Sequence, residues 1–232
     1  MTDSPGQPPP SDPIPQPEAP AAPPAAPASQ FDVTPSPPDV AYPNYPLQLD
    51  VGYQQEYSRF MPLIKWLLVL PHFFVLFVLM IGAYFAIIGA FFVVLFTRRY
   101  PQGIFNYIVG IARWVTRVNA YTSLLTDAYP PFSLADDPNH PVRYNLDYPP
   151  DGQIARWRPF FAWVPVIPQF IMAYFLMIAG GVLVFIAFFA ILFTKRFPRG
   201  MFDFVVNVHR FQARVGAYGL WLTERYPGFT LG

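Results

Sequence analysis

The sequence predicts an all-α membrane protein in which two tandem modules follow a disordered, proline-rich N-terminus. Three observations carry this prediction. The composition is 53% hydrophobic and 12% charged, whereas about 25% of the residues of an average soluble domain are charged. Two long stretches carry no formal charge, and one unusual run of residues occurs twice.

The two uncharged stretches are residues 66–96 and 159–193. A run of about 18 or more uncharged, mainly apolar residues is long enough to cross the roughly 30 Å of hydrocarbon in a bilayer. The sequence therefore predicts integral membrane insertion at both places.

The N-terminal segment, residues 1–46, holds more than half of the chain's 30 prolines and contains no Lys or Arg. Such a segment cannot bury enough apolar surface to offset the entropy of ordering, so we predict a disordered Pro/Ala-rich tail. A solvated spacer is the favoured interpretation, and docking of residues 20–27 on an aromatic-lined groove is the alternative.

The chain repeats itself at an offset of 97 residues, since residues 47–134 align with residues 144–231 without a gap. "LFTRRYPQGIFNYIVGIARWVTRVNAY" in the first copy matches "LFTKRFPRGMFDFVVNVHRFQARVGAY" in the second. We therefore predict a tandem duplication, with membrane module 1 at 47–134, a linker at 135–143 and membrane module 2 at 144–231.

Each module has three predicted parts. An alternating stretch, "YPLQLDV" in one copy and "VRYNLDY" in the other, predicts a short β-strand segment. The long apolar stretch follows, and a helical pattern at about 102–127 ends module 1. Its apolar residues fall on one face, and Arg113 and Arg117 fall on the other. This amphipathic helix either lies in the headgroup plane or packs on the membrane helices of its own module.

Length alone leaves the number of membrane crossings per module open. Residues 60–96 would form one straight helix about 55 Å long, or two arms at the short end of the spanning range. Basic residues flank both stretches on both sides, and Lys and Arg near membrane segments are retained in the cytoplasm. An even number of crossings places every flank, and the N-terminus, in the cytoplasm. We therefore favour a helical hairpin in each module, with turns near residues 81–84 and 179–181.

The order of "RFMPLIKWLLVLPHF", "LFTRRYPQGIFNYIVGIARWVTRVNAY" and "TDAYPPFSL" resembles the DUF4389 family of bacterial membrane proteins of uncharacterised function. The likeness covers both modules. Module 2 departs from it where Gln169 stands for His72 and Phe211 stands for Trp114. The resemblance implies a bacterial inner-membrane location, and it brings no catalytic residues. The multi-pass topology is the prediction from the hairpins.

His72 is a polar residue inside the first apolar stretch, where an ionisable group is a functional candidate. The alternative is an interfacial histidine that bonds water or a carbonyl, since its counterpart is Gln169. The chain has no Cys and three scattered His, and it lacks nucleotide-binding, hydrolase and metalloprotease motifs. We therefore expect no catalytic residue, no cofactor and no metal site.

Repeated basic residues are candidate contacts for anionic lipids. A basic ledge at the cytoplasmic interface would gain about 1 kcal/mol for each cation from an anionic leaflet. Arg113 and Arg117 are one helical turn apart, a spacing suited to clamping one phosphate. Topology setting and internal ion pairs, to Asp203 for example, are the alternative. The candidate contacts are Arg98, Arg99, Arg113, Arg117, Lys195, Arg196, Arg210 and Arg214.

Two classes of function remain open. The first is an integral membrane accessory or scaffold protein without catalytic activity, which is a subunit or partner of a larger inner-membrane assembly. The second is an anionic-lipid-binding or lipid-transport component. A membrane enzyme ranks third, because the apolar stretches hold almost no polar residues. The expected partners are the lipid bilayer, anionic phospholipids and a membrane protein, and no nucleic acid is expected.

Overall fold

The computed structural model describes residues 45–231 together with the backbone of Val33–Thr34. The prediction of a disordered tail at 1–46 therefore falls almost entirely outside the described residues. Four short strands and six α-helices occur in the described part of the chain. They are β1 (Val33–Thr34), β2 (Leu47–Val51), β3 (Tyr53–Gln54), α1 (Met61–Leu68), α2 (Leu70–Thr97), α3 (Gln102–Thr122), β4 (Val142–Leu146), α4 (Arg158–Phe161), α5 (Trp163–Thr194) and α6 (Arg199–Gly219).

Each apolar stretch forms a long helix with no turn at its centre. The helix α2 runs through residues 81–84 and α5 runs through residues 179–181, so the predicted hairpins within the apolar stretches are wrong. The glycines there do not interrupt the helices, because a backbone group released into apolar surroundings costs several kcal/mol. Pro71 lies in the first turn of α2, where proline removes few backbone hydrogen bonds, whereas Pro168 lies inside α5.

The hairpin of each module instead joins the long helix to the shorter helix that follows it. The turn begins at Arg98 in module 1 and at Lys195 in module 2, and both residues have left-handed backbone angles (φ of 58° and 60°). A left-handed residue after the last turn is a common way to end a helix. Pro101 and Pro198 then precede α3 and α6, where proline suits a helix start.

The helix α3 contacts the long helix of its own module along one side. The hydroxyl of Tyr107 donates to the Leu79 carbonyl (3.0 Å), and the indole N–H of Trp114 donates to Nδ1 of His72 (3.1 Å). Because the chain positions in α3 rise while those in α2 fall, the two helices are antiparallel. Packing of this helix on the membrane helix of its own module was one of the two predicted alternatives.

A two-stranded antiparallel ribbon joins the modules, since β2 pairs with β4. Side chains alternate between buried and outward-facing along both strands, as expected when one face of a ribbon covers a core. The strands are exchanged between modules: β2 packs against α6, and β4 packs against α3. Residues of both modules therefore share one main hydrophobic core.

An approximate twofold axis relates the two modules and passes between Leu49 and Tyr144, the central pair of the ribbon. The Gly52 N–H donates to the Pro141 carbonyl (2.8 Å), and the Asp147 N–H donates to the Pro46 carbonyl (3.0 Å). Gly52 and Asp147 are 95 residues apart, as are Pro46 and Pro141. The two bonds are therefore copies of one contact.

The strands do not follow the 97-residue offset. β2 and β4 begin 95 residues apart. By contrast, the Tyr57 N–H donates to the Lys195 carbonyl (2.9 Å) and the Ile154 N–H donates to the Arg98 carbonyl (2.9 Å), which restores the offset of 97. Module 2 carries two extra residues before Ile154, in a stretch that includes the 3-10 turn Pro150–Gly152. The prediction of an ungapped alignment is therefore wrong for the strands.

The two long helices run antiparallel to each other across the axis. The rings of Phe91, late in α2, and Phe160, at the start of module 2, lie with their centroids 5.2 Å apart. A guanidinium N–H of Arg156 donates to the carbonyl of Phe96 (3.4 Å). At the other end of the molecule, Pro62 lines the same groove as Phe188. Each long helix thus begins beside the end of the other.

Candidate functional site

Large apolar side chains are exposed along the whole length of the long helices. Examples are Trp66 and Phe85, each 65% exposed, and Phe175, 64% exposed. We call this surface the apolar face, and it consists of the exposed large apolar side chains of residues 60–96 and 157–193. At these stretches, Met61–Thr97 and Trp163–Thr194 are helical, long enough and apolar enough to cross a bilayer, and few of their residues are buried. Such helices are compatible with a membrane protein.

The side of α1 and α2 turned to the protein is narrow. Its first buried positions recur every three or four residues and so form one stripe along a helix. They are Pro62, Lys65, Val69, His72 and Leu76, and the buried side continues along α2 with Ala83, Ala90 and Val94. Because the remaining circumference is exposed and apolar, the long helices lack the polar side that a helix at a water interface presents.

Exposed cations lie at both ends of the apolar face. Arg98 and Arg99 follow α2, and Lys195 and Arg196 follow α5. We call these four residues the end cations. Their side chains are exposed, so they remain candidate contacts for anionic headgroups.

The other four candidate lipid contacts point into the protein. Arg210 is 3% exposed, and both Arg117 and Arg214 are fully buried. The side chain of Arg113 is 15% exposed. The prediction of a surface ledge of eight cations is therefore wrong for the arginines of α3 and α6.

These four arginines satisfy backbone carbonyls that the helices and strands leave free. Arg113 Nε donates to the Tyr144 carbonyl (3.0 Å), and Arg210 Nε donates to the Leu49 carbonyl (2.9 Å). Arg117 donates to the Ala135 carbonyl (3.1 Å). Arg214 donates in the same way to the Thr230 carbonyl (3.1 Å). Guanidinium groups suit this role because their donors are held in a fixed planar fork.

The apolar face and the internal arginines recur in both halves, and so does the sequence pattern that carries them. The chain matches the family described as Domain of unknown function (DUF4389) at residues 62–133 and again at 156–230, which together cover more than half of its length. The chain belongs to the DUF4389 family. Comparisons with curated proteins and with solved structures gave no match.

The first DUF4389 module holds a buried ion pair that the repeat pattern did not reveal. Lys65 Nζ lies 2.8 Å from an Asp127 carboxylate oxygen and donates to the Thr126 carbonyl (2.7 Å). It also lies 4.8 Å from the centre of the Tyr121 ring, within the range of a cation–π interaction.

The second DUF4389 module places its cation one helical turn earlier. At the offset of 97 residues, the counterpart of Lys65 is Ala162, and Arg158 corresponds to Met61. The guanidinium of Arg158 nevertheless lies 4.1 Å from the centre of the Tyr218 ring and donates to the Thr223 carbonyl. The compensating exchange of Met61 and Lys65 for Arg158 and Ala162 was the sequence signal for this site.

His72 lies among aromatic side chains and is completely buried. Its ring stacks on Phe132, with centroids 4.0 Å apart and an interplanar angle of 12°. Since Nδ1 accepts from the Trp114 indole, the ring proton of a neutral His72 is on Nε2. In the second DUF4389 module, Gln169 donates to the Tyr226 hydroxyl at the equivalent place. The two modules thus place different polar side chains at one buried position.

A cavity of about 190 Å³ lies near the twofold axis between α3 and α6. Leu49 and Tyr144 line it on the ribbon side, and Asn119, His209 and Gln212 add polar groups to a mainly apolar lining. Burial lowers the pKa of His209, which favours the neutral ring.

Residues 45–231 bring no group of three or more His, Cys, Asp or Glu side chains close enough to hold a metal ion. His140 lies in the linker and is buried, with its Nδ1 accepting the N–H of Val142 (3.1 Å). His72, His140 and His209 therefore occupy three separate surroundings.

Proposed function

We propose that this protein is an integral membrane accessory or scaffold protein of the bacterial inner membrane, without catalytic activity, which holds a partner protein at the bilayer. The observation that carries the proposal is the division of the molecule into two unlike sides. One side is the apolar face, and the other is the polar outer surface of the β2–β4 ribbon.

Buried polar side chains that bond other groups of the protein support the same proposal. The arginines of α3 and α6 hold backbone carbonyls, and Lys65 is held by Asp127 and Thr126. Buried polar groups that are hydrogen-bonded across several elements help to fix one arrangement of those elements. A rigid, two-sided module fits a protein that positions a partner.

Purification of the full chain from its own membrane tests the proposal. In mild detergent the protein should elute with a second membrane protein and well above the size expected for a 26.4 kDa chain in its micelle. A variant that lacks residues 1–32 and keeps Val33–Thr34 should remain in the membrane fraction, and its partner yield measures the part that the tail plays. Elution of the full chain as a monomer alone would contradict the scaffold proposal.

A second candidate function is anionic-lipid binding or transport, favoured by the end cations. Each cation near an anionic leaflet contributes about 1 kcal/mol, so removal of two should weaken binding by roughly 30-fold. The test is lipid co-purification for the variant R98Q/R99Q and for the variant K195Q/R196Q. The matched control is R143Q, which removes an exposed cation from the ribbon side. Equal amounts of anionic lipid on all variants would contradict this candidate.

A further inference from the structure

The antiparallel arrangement of the long helices has a consequence for how the protein meets a membrane. Because α2 and α5 run in opposite directions, Arg98 and Lys195 lie at opposite ends of the molecule. The twofold axis that exchanges the two helices therefore runs across them and not along them. Two orientations in the membrane are simple. The bilayer normal can run along the helices, or it can run along the twofold axis.

The β2–β4 ribbon lies on the far side of α3 and α6 from the long helices. In module 1, Tyr107 and Trp114 of α3 contact α2, whereas Arg113 contacts β4. Successive helical residues differ by about 100° around the axis of the helix, so Arg113 is about 100° from Trp114. Phe105, whose ring contacts Tyr148 beyond β4 (centroids 4.9 Å apart), is about 160° from Tyr107 and so faces away from α2. The order of layers is the apolar face, then α3 and α6, then the ribbon.

The outer surface of the ribbon is polar. Gln48 and Asp50 of β2 are exposed, as are Arg143 of β4 and Asp147 beyond it. The twofold axis passes through this ribbon and, by symmetry, between the middles of the two long helices.

An orientation with the helices across the bilayer is unfavourable. It would place the exposed charges of Asp50 and Arg143 near the bilayer centre, where charged groups are costly. It would also fit helical stretches of 37 and 32 residues, about 48–55 Å long, into about 30 Å of hydrocarbon.

An orientation with the helices in the membrane plane removes both conflicts. The ribbon then lies in water, α3 and α6 lie at headgroup depth, and the long helices lie beneath them in hydrocarbon. This depth agrees with helices that are apolar around their whole exposed circumference.

The basic residues at the two ends support the same orientation. One end carries Arg98, Arg99 and Arg156, and the other carries Arg59, Lys195 and Arg196, all of them exposed. With the helices in the plane, both clusters meet the headgroups of one leaflet. Lys and Arg near membrane segments favour the cytoplasmic side, where anionic lipids attract them.

We propose that the apolar face inserts into one leaflet of an anionic bilayer, with the twofold axis along the membrane normal and neither long helix crossing the membrane. This inference rests on the membrane attachment in the proposed function and specifies its geometry. All exposed loops and both ends of the described chain then lie on one side of the membrane.

Cysteine labelling of the full chain tests the geometry, because the chain has no native Cys. The single variants Thr97→Cys and Thr194→Cys place thiols at equivalent exposed positions at opposite ends of the molecule. In sealed vesicles of phosphatidylcholine and phosphatidylglycerol, a membrane-impermeant maleimide added to one side should label both variants equally. Labelling of the two variants from opposite sides would overturn the in-plane orientation while leaving membrane attachment intact.

The depth of the long helices in the bilayer provides a second test of the orientation. Nitroxide labels at Leu67, Phe77 and Phe92, all on the apolar face, should show similar accessibility to lipid-dissolved oxygen. A label at Phe77 much deeper than the other two would indicate a spanning helix and overturn the inference. Labels shielded from oxygen would indicate that a second copy or another protein covers the face, which also overturns it. Failure of the protein to float with the vesicles would instead remove the membrane attachment itself.

Discussion

Arg210 Nε lies 2.9 Å from the carbonyl oxygen of Leu49, which precedes it by 161 residues. The same guanidinium reaches the Asp50 carboxylate (3.3 Å). In the other half, Arg113 Nε donates to the Tyr144 carbonyl and a terminal nitrogen donates to the Asn145 side chain (3.2 Å). Each arginine therefore ties the strand of one module to the helix of the other.

We expect Arg210→Lys to destabilise the protein by about 1–3 kcal/mol. Lysine keeps the charge but cannot hold a carbonyl and a carboxylate with a rigid fork, and a buried group without a partner costs about this much. The measurement is thermal unfolding in detergent, with Arg196→Lys as the exposed control. Equal midpoints for both variants would mean that the forked contact contributes nothing.

The two modules offer a transplant experiment at the buried cation. We expect Lys65→Ala to destabilise the protein by about 3–5 kcal/mol, because it leaves the Asp127 carboxylate buried without its cation. Adding Met61→Arg copies the arrangement of Arg158 and Ala162, so the double variant should recover part of the loss. Chemical unfolding of both variants measures the recovery, and a double variant no more stable than Lys65→Ala would refute the equivalence.

Two glycines of α3 should respond in opposite ways to alanine. A Cβ at Gly110 would lie 2.9 Å from the Leu134 Cβ and 3.1 Å from its carbonyl oxygen, whereas Gly103 has open space. We expect Gly110→Ala to cost about 1–3 kcal/mol through overpacking. Gly103→Ala should stabilise the helix by up to about 1 kcal/mol. Unfolding midpoints that move in the same direction would contradict this description of the α3 surface.

Stability should fall when the solution is acidified. Burial lowers the pKa of both His140 and His209 below the ordinary value of 6.5, so the unfolded chain binds protons more readily than the folded chain. Their contribution is therefore complete above pH 6.5 and is lost as the pH falls below that value. In unfolding experiments between pH 7.5 and 5.5, the variant H140N/H209Q should lose less stability than the unaltered protein. If the variant loses as much stability as the unaltered protein, these two histidines do not cause the loss.

The sequence was informative about composition, repetition and the start of α3. The uncharged stretches predicted apolar helices at these places, though as hairpins, and Pro101 predicted the start of α3 at Gln102. The number of crossings could not be predicted, because Gly82 and Gly181 are as compatible with a continuous apolar helix as with a turn.

The candidate lipid contacts show a second limit of sequence reasoning. Arg98 and Arg113 are equally basic in sequence, but one is exposed at a helix end and the other bonds a strand from the opposite module. The burial of Arg113 depends on a contact between residues far apart in the chain. A helical periodicity does not contain that information.

The exchange of β2 and β4 between the modules has a consequence for how the protein is made. While the ribosome is still synthesising α6, β2 cannot pack on that helix, and its pairing with β4 is not yet stabilised by it. The first half of the nascent chain therefore cannot complete its packing until the second half has been synthesised. A protein with a single copy of the module would have to pair with a second chain to obtain these contacts.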